Sequence, residues 1–472
     1  MKLLRYRRLA AGAIGGLAGC AILAFLPSGV ECNPVVLAVF CTAYGMLFAA
    51  LLGTRPLGPG AGLMWALGYA FFTWIAFCAV ESARLRFAGD AVTVVEVVRG
   101  HFAALAGIVL GSVPVGLAVG SAGGGAPDNR RPFNLARAVC AGGFAGIFGG
   151  WAFGKWMEQA GFFPLIAGLV RSDSVRVGVA VHFTIAVFIG ATFGLLFQRE
   201  IRSLGSSLAW GASYGILWWF AGALTLSALL RGMRPDWSAE HAAGAFGSLV
   251  GHIVYGVIVG LLYAAVDNVW AWLFERSDPL NREVEGPGAL LLASLGRGAA
   301  ASLVGGLLFS GVMLATGALS RVAQLVGGTS ILLGFAVHLA IAALIGATYG
   351  LFFHYEALDE AATVAWGTLY GLTWWFLGPL TLFPILLGHT FTWTLAAANA
   401  EIPSLIGHLL YGIGLAVTFR ALERRHLEEL FVDDRLERRW KRLHRPAGTP
   451  APAVCFFFIG MGVVLPIALG QA

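Results

Sequence analysis

The sequence predicts an all-α polytopic membrane protein, on three observations. Of its 472 residues 58% are hydrophobic and only 12% charged, about half the charged share of a soluble domain. The apolar residues fall in runs of about 18 to 24, the length at which a helix crosses a hydrocarbon core. The 65 glycines lie largely within those runs, where they let membrane helices approach closely.

Each segment has its own boundary. Leu9 to Leu26 ends at Pro27, and Pro34 to Leu52 stops at the loop GTRPLGPG. Gly60 to Val80 gives way to the polar ESARLRFAGD, and Val97 to Gly120 runs into SAGGGAPDNRRP, whose Gly, Pro and charges mark a linker. Four more segments follow at Leu135–Met157, Val175–Gln198, Ser206–Leu230 and Ala243–Trp270. Another four lie at Leu290–Thr316, Ile331–His354, Ala362–Leu387 and Pro403–Leu422. A charged, helix-prone stretch from Arg420 to Arg445 precedes a last apolar run, Pro452 to Leu469.

The last two sets of four are copies. VAVHFTIAVFIGATFGLLF from Val179 returns as FAVHLAIAALIGATYGLFF from Phe335, with His182 and His338 standing 156 residues apart. In the same register AWGASYGILWWFAGALTL from Ala209 answers AWGTLYGLTWWFLGPLTL from Ala365. SLVGHIVYG from Ser248 answers SLIGHLLYG from Ser404. Three ungapped blocks in one register identify an internal duplication. The opening four segments read as a diverged third copy: Trp65, Tyr69 and Trp74 align with Trp210, Tyr214 and Trp219. Ile108 stands where His252 stands, and Asn33 falls near the place of His182. The expected units are residues 1–125, 126–280 and 281–422, then a basic amphipathic segment at 423–450 and a C-terminal membrane helix at 451–472. Four is an even number, so the three tandem repeats share one orientation, for a total of about thirteen transmembrane helices.

Basic residues set the expected topology. With the N-terminus inside, the cytoplasmic face collects Lys2, Arg5, Arg7, Arg8, Arg130, Arg131 and the Arg420–Arg445 cluster, and the C-terminus emerges outside. The net charge of +6 therefore reflects membrane orientation, with the lipid bilayer and partner membrane subunits as expected contacts and no nucleic acid. The six cysteines form no CxxC pair and read as small buried hydrophobes. Leu17-Ala18-Gly19-Cys20 has the form of a lipoprotein cleavage box, but the apolar run continues past it.

The candidate site is a layer of histidines. His182, His252, His338 and His408 each lie a few turns into their helices, on the order of 12 Å from the outer surface at about 1.5 Å per residue. Small residues follow His182 and His338 at spacings of four, at Ala186, Gly190 and Gly194 and at Ala342, Gly346 and Gly350, a seam for a neighbouring helix. Tyr255 and Tyr411 share a face with His252 and His408, and each phenol is expected beside its imidazole as a hydrogen-bonded pair. Such histidines can serve as interhelical glue, as proton or ion handlers, or as ligands of a b-type heme or of copper or zinc. Trp237 and Trp393, in the loops RPDWSAEH and HTFTWTLAAANAE, are expected to anchor at the interface. No nucleotide-binding loop, nucleophile elbow, HExxH or paired-carboxylate motif is present, so no enzymatic reaction is indicated.

A Trp-containing third helix followed by a fourth beginning near GHxxYG, at Ser248–Gly256 and Ser404–Gly412, resembles the bacterial inner-membrane proteins of the YagU type. That resemblance implies a bacterial cytoplasmic membrane and, through the family's connection with acid resistance, proton handling. Three units and an extra terminal helix depart from the family pattern. The functions that follow are membrane transport or permeation, heme or metal redox chemistry, and a structural subunit of a membrane complex.

Overall fold

The computed structural model describes residues 2–27, 33–54, 57–122, 133–201, 203–274, 287–356 and 360–430, together with 435 and 438. Every regular element among them is helical, and 12 helices are long and apolar enough to cross a membrane. The protein is a multi-pass membrane protein. The first four spans are α1 (Leu4–Phe25), α2 (Pro34–Leu52), α3 (Pro59–Phe87) and α4 (Phe102–Ser121). The next are α5 (Leu135–Gln159), α6 (Val175–Phe197), α7 (Leu204–Leu230) and α8 (Phe246–Trp270). The last are α9 (Gly288–Ala315), α10 (Ile331–Phe353), α11 (Ala362–Leu386) and α12 (Ile402–Glu429). The expected thirteenth helix at Pro452–Leu469 lies outside the described residues.

By contact the chain forms two compact units. Among the described residues, one holds those within Met1–Ile201 and Leu208–Tyr263, the other those within Arg202–Ser207 and Ala264–Cys455. In every group of four helices the first packs on the second and on the fourth, and the third packs on the fourth. Backbones meet where side chains are missing. Gly12 and Gly45 join α1 to α2, Gly142 and Gly190 join α5 to α6, and Gly298 and Gly346 join α9 to α10. A Cβ at any of these would overlap a carbonyl oxygen of the other helix, so the seams exist because glycine leaves the backbone bare.

One cross-link recurs in all three groups. The indole of Trp74 donates to the His101 carbonyl at 2.9 Å, that of Trp219 to Ala245 at 3.1 Å, and that of Trp375 to Glu401 at 2.9 Å. Each ties the third helix to the carbonyl just ahead of the fourth. Those carbonyls follow short helices at Val94–Gly100, Ala239–Gly244 and Leu395–Ala400, started by the caps Thr93, Ser238 and Thr394. The expected fourth segment, begun at Val97, therefore breaks at His101, whose φ of −108° and ψ of 18° leave the helix.

The helix α12 runs on beyond Leu422, where the basic segment was expected to begin. Glu423 is buried and accepts from Arg297 at 2.9 Å, so a charge-assisted bond to α9 draws the polar end of the helix along the bundle. Residues 431–450 fall almost wholly outside the described residues.

Candidate functional site

His182 and His338 are each the eighth residue of their helices, and His252 and His408 the seventh of theirs. At about 1.5 Å per residue this sets all four roughly 10 Å along a helix axis. His182 and His338 are buried; His252 and His408 are half-buried.

One phenylalanine touches both histidines in each unit. The Phe153 ring lies 5.8 Å from that of His182 and 4.8 Å from that of His252, edge-on to both. Phe309, 156 residues on, lies 5.0 Å from His338 and 4.6 Å from His408. The ring sits in a notch of the fourth helix, since a Cβ at Gly251 or Gly407 would overlap it. Sequence reasoning missed this residue, although GGWAFG from Gly149 and GGLLFS from Gly305 keep the 156-residue spacing of the histidines.

The fourth-helix histidines are alike in both units. Nδ1 of His252 donates to the Ser248 carbonyl at 2.7 Å, and Nδ1 of His408 to that of Ser404 at 2.8 Å. A carbonyl only accepts, so the proton of the neutral ring is fixed on Nδ1 and the lone pair on Nε2. Nε2 faces the third helix, where a Cβ would stand 4.0 Å away at Gly222 and 3.5 Å away at Gly378.

Both glycines lie in π-helical turns, Trp219–Leu226 in α7 and Gly378–Leu382 in α11. Such turns widen the helix and frequently mark functional sites. A threonine holds each one. Thr225 donates to the Phe220 carbonyl at 2.7 Å and accepts the Trp237 indole at 3.1 Å. Thr381 donates to Phe376 at 2.8 Å and accepts the Trp393 indole at 2.9 Å. Trp237 and Trp393 are thus 2% and 6% exposed and are not the interfacial anchors expected of them, because their N–H groups find partners inside the protein.

The second-helix histidines differ. Nε2 of His182 donates to the Gly150 carbonyl at 2.8 Å, whereas Nδ1 of His338 bonds the Ser310 hydroxyl at 2.9 Å. The expected His–Tyr pairs do not form. Tyr255 donates instead to the Ala186 carbonyl at 2.6 Å and Tyr411 to Ala342 at 2.9 Å. Each phenol spans to the second helix because Gly149 or Gly305, on the first helix, leaves room for it.

Among the described residues the first group has no such site. Asn33 caps α2 by accepting from Val35 at 2.9 Å, so it stands at the helix start rather than at the depth of His182. Gly12 meets Gly45 as Gly142 meets Gly190, and Gly16 meets Cys41 as Gly146 meets Ala186, a register that puts Leu37 at the His182 position. Gly19 takes the Gly149 place and packs directly on Gly111, and Leu23, at the Phe153 place, lies beside Gly111.

A heme between two imidazoles needs them opposed across the macrocycle. The Phe153 ring touches both imidazoles of one pair and the Phe309 ring both of the other, and so occupies the space between them. With a phenyl ring against both imidazoles, the two rings of a pair do not oppose one another across a macrocycle's space. Among the described residues no group of three or more His, Cys, Asp or Glu is placed to hold a metal ion. Comparison with protein-family models, curated proteins and solved structures finds no match.

Proposed function

We propose that this is a proton-linked transport or permeation protein built of three tandem units in one orientation, in which His252 and His408 accept and release the proton. The observation that carries the reading is the shared setting of these two rings, Nδ1 committed within the helix and Nε2 turned to a π turn. Imidazole titrates near neutrality, and ionisable groups within a membrane commonly line an ion or substrate path. The proposed membrane is the bacterial cytoplasmic one, with the N-terminus inside by the distribution of Arg and Lys and in keeping with the YagU-type resemblance.

The test is proton flux into liposomes containing the purified protein and a trapped pH-sensitive dye, driven by a potassium diffusion potential. The H252A/H408A double variant is expected to lose at least tenfold in flux. Undiminished flux in a folded double variant overturns the proton role, and absence of flux in the parent protein favours a structural subunit.

A further inference from the structure

An indole stands between each fourth-helix histidine and a pair of hydroxyls inside the bundle. Gly222, Trp218 and Tyr214 follow one another at spacings of four on α7, hence on one face. A Cβ at Gly222, the glycine facing Nε2 of His252, would stand 3.8 Å from Cε3 of Trp218. The same ring lies edge-on to Tyr214, centroids 6.1 Å apart, and to Phe188 of α6 at 6.5 Å. The Tyr214 phenol shares a hydrogen bond of 2.8 Å with the Thr192 hydroxyl. The order recurs on α11: Gly378 faces His408, Trp374 lies edge-on to Tyr370 at 6.3 Å, and Tyr370 shares a bond of 2.6 Å with Thr348.

Imidazole and hydroxyl groups both accept and donate, so they can relay a proton, whereas an indole N–H only donates. From Gly222 to Tyr214 is about 12 Å at about 1.5 Å per residue, beyond the reach of a hydrogen bond. A relay from His252 therefore halts at Trp218 while that ring stays in place. Its neighbour in sequence is pinned: Trp219 and Trp375 are fully buried and bonded to Ala245 and Glu401, whereas Trp218 and Trp374 are half-buried. The first helix group supplies a contrast. In the alignment of Tyr69 with Tyr214, Ile108 replaces His252 and Thr73 replaces Trp218, so the group without the imidazole is also without the indole. In the second group the π turn beside Trp218 is latched through Thr225 to Trp237, a wall of a rim cavity of about 230 Å³.

We propose that Trp218 and Trp374 are gates, each closing the way from an imidazole to an inner proton station, Tyr214 with Thr192 or Tyr370 with Thr348. The inference rests on the proton role of His252 and His408 and adds to it the point at which the path is shut. With the indole in place the constriction is apolar and dry, and the imidazole exchanges protons with the outer side, that of Trp237. With the ring swung aside, water joins the imidazole to the hydroxyls and the proton passes inward.

The test labels Thr192→Cys, in a protein freed of its six native cysteines, with a charged methanethiosulfonate in right-side-out and inverted vesicles. Trp218→Ala is expected to raise the labelling rate from the outer side at least fivefold and to leave the rate from the inner side unchanged. An unchanged outer rate overturns the gate, and so does an equal rise from both sides, which marks a loosened bundle. Should that variant not fold, Trp374→Ala with Thr348→Cys decides in the same way. Proton flux into liposomes separates the gate from the reading beneath it: W218A/W374A should pass protons at least fivefold faster than the parent protein. Unchanged flux in the double variant of an active parent overturns the gate. A parent without flux removes the proton role instead, and the labelling then decides whether the indoles bar water.

Discussion

The second and third helix groups hold the same histidine–phenylalanine site 156 residues apart, yet they agree at one histidine and differ at the other. His252 and His408 have the same donor nitrogen, the same carbonyl partner four residues back and the same glycine across from them. His182 and His338 present opposite nitrogens to different partners. The cause is one atom group at one position. Ser310 offers His338 a hydroxyl, whereas Gly154 offers His182 nothing, and that ring turns to the Gly150 carbonyl. A ring whose proton can be placed either way is interchangeable packing polarity. One whose proton placement is kept in both helix groups is the better place to look for chemistry.

The comparison breaks most severely at the shared wedge. Phe153→Ala and Phe309→Ala are each expected to destabilise the protein by about 3 kcal/mol, the usual loss for a buried phenyl, measured by steric trapping in bicelles. Equal losses would place the two wedges on the same footing; a loss below about 1 kcal/mol in either would show that its notch collapses on Gly251 or Gly407. Next comes the difference itself. Ser310→Ala should cost about 1 kcal/mol, since hydrogen bonds within membranes are modest, and should move the His338 ring toward the Gly306 carbonyl, visible as a changed imidazole nitrogen shift by NMR. An unchanged shift would mean the hydroxyl does not hold the ring. The smallest effect concerns the turns before the second helices. Arg171 has φ of 58° where Gly327, its counterpart, has 75°, and left-handed backbone costs a side-chain-bearing residue about 1 kcal/mol. Arg171→Gly is expected to raise the Tm slightly, and a lower Tm would mean that the arginine's contacts outweigh its backbone cost.

Legibility in the sequence followed the strength of local pattern. Span lengths came through because twenty apolar residues have few other uses, and Pro34–Leu52 is bounded as its proline and glycine dictate. The histidine register was plain because the flanking blocks match without gaps. Phe153 was hidden because its helix shares few other residues with the helix of Phe309, and one phenylalanine in an oily segment attracts no notice. The π turns leave no periodic trace; only the twelve-residue spacing from Thr225 to Trp237, repeated from Thr381 to Trp393, hints at them. Trp237 was misjudged because tryptophan near a span end usually faces lipid headgroups, and its buried partner becomes apparent only in three dimensions. Asn33 was misplaced because aligning a diverged copy by residue type alone ignores helix starts, which its own capping bond to Val35 fixes.

The two threonine latches have a mechanical corollary. Thr225 lies three residues beyond Gly222 on the same widened turn and grips a tryptophan from the loop at the end of the span. A displacement of that loop is delivered to the backbone opposite His252 through one hydroxyl, with no slack chain between, and Thr381 couples Trp393 to Gly378 in the same way. What happens at the rim of each helix group is thus felt, within a few ångströms of lever arm, at the imidazole farther down.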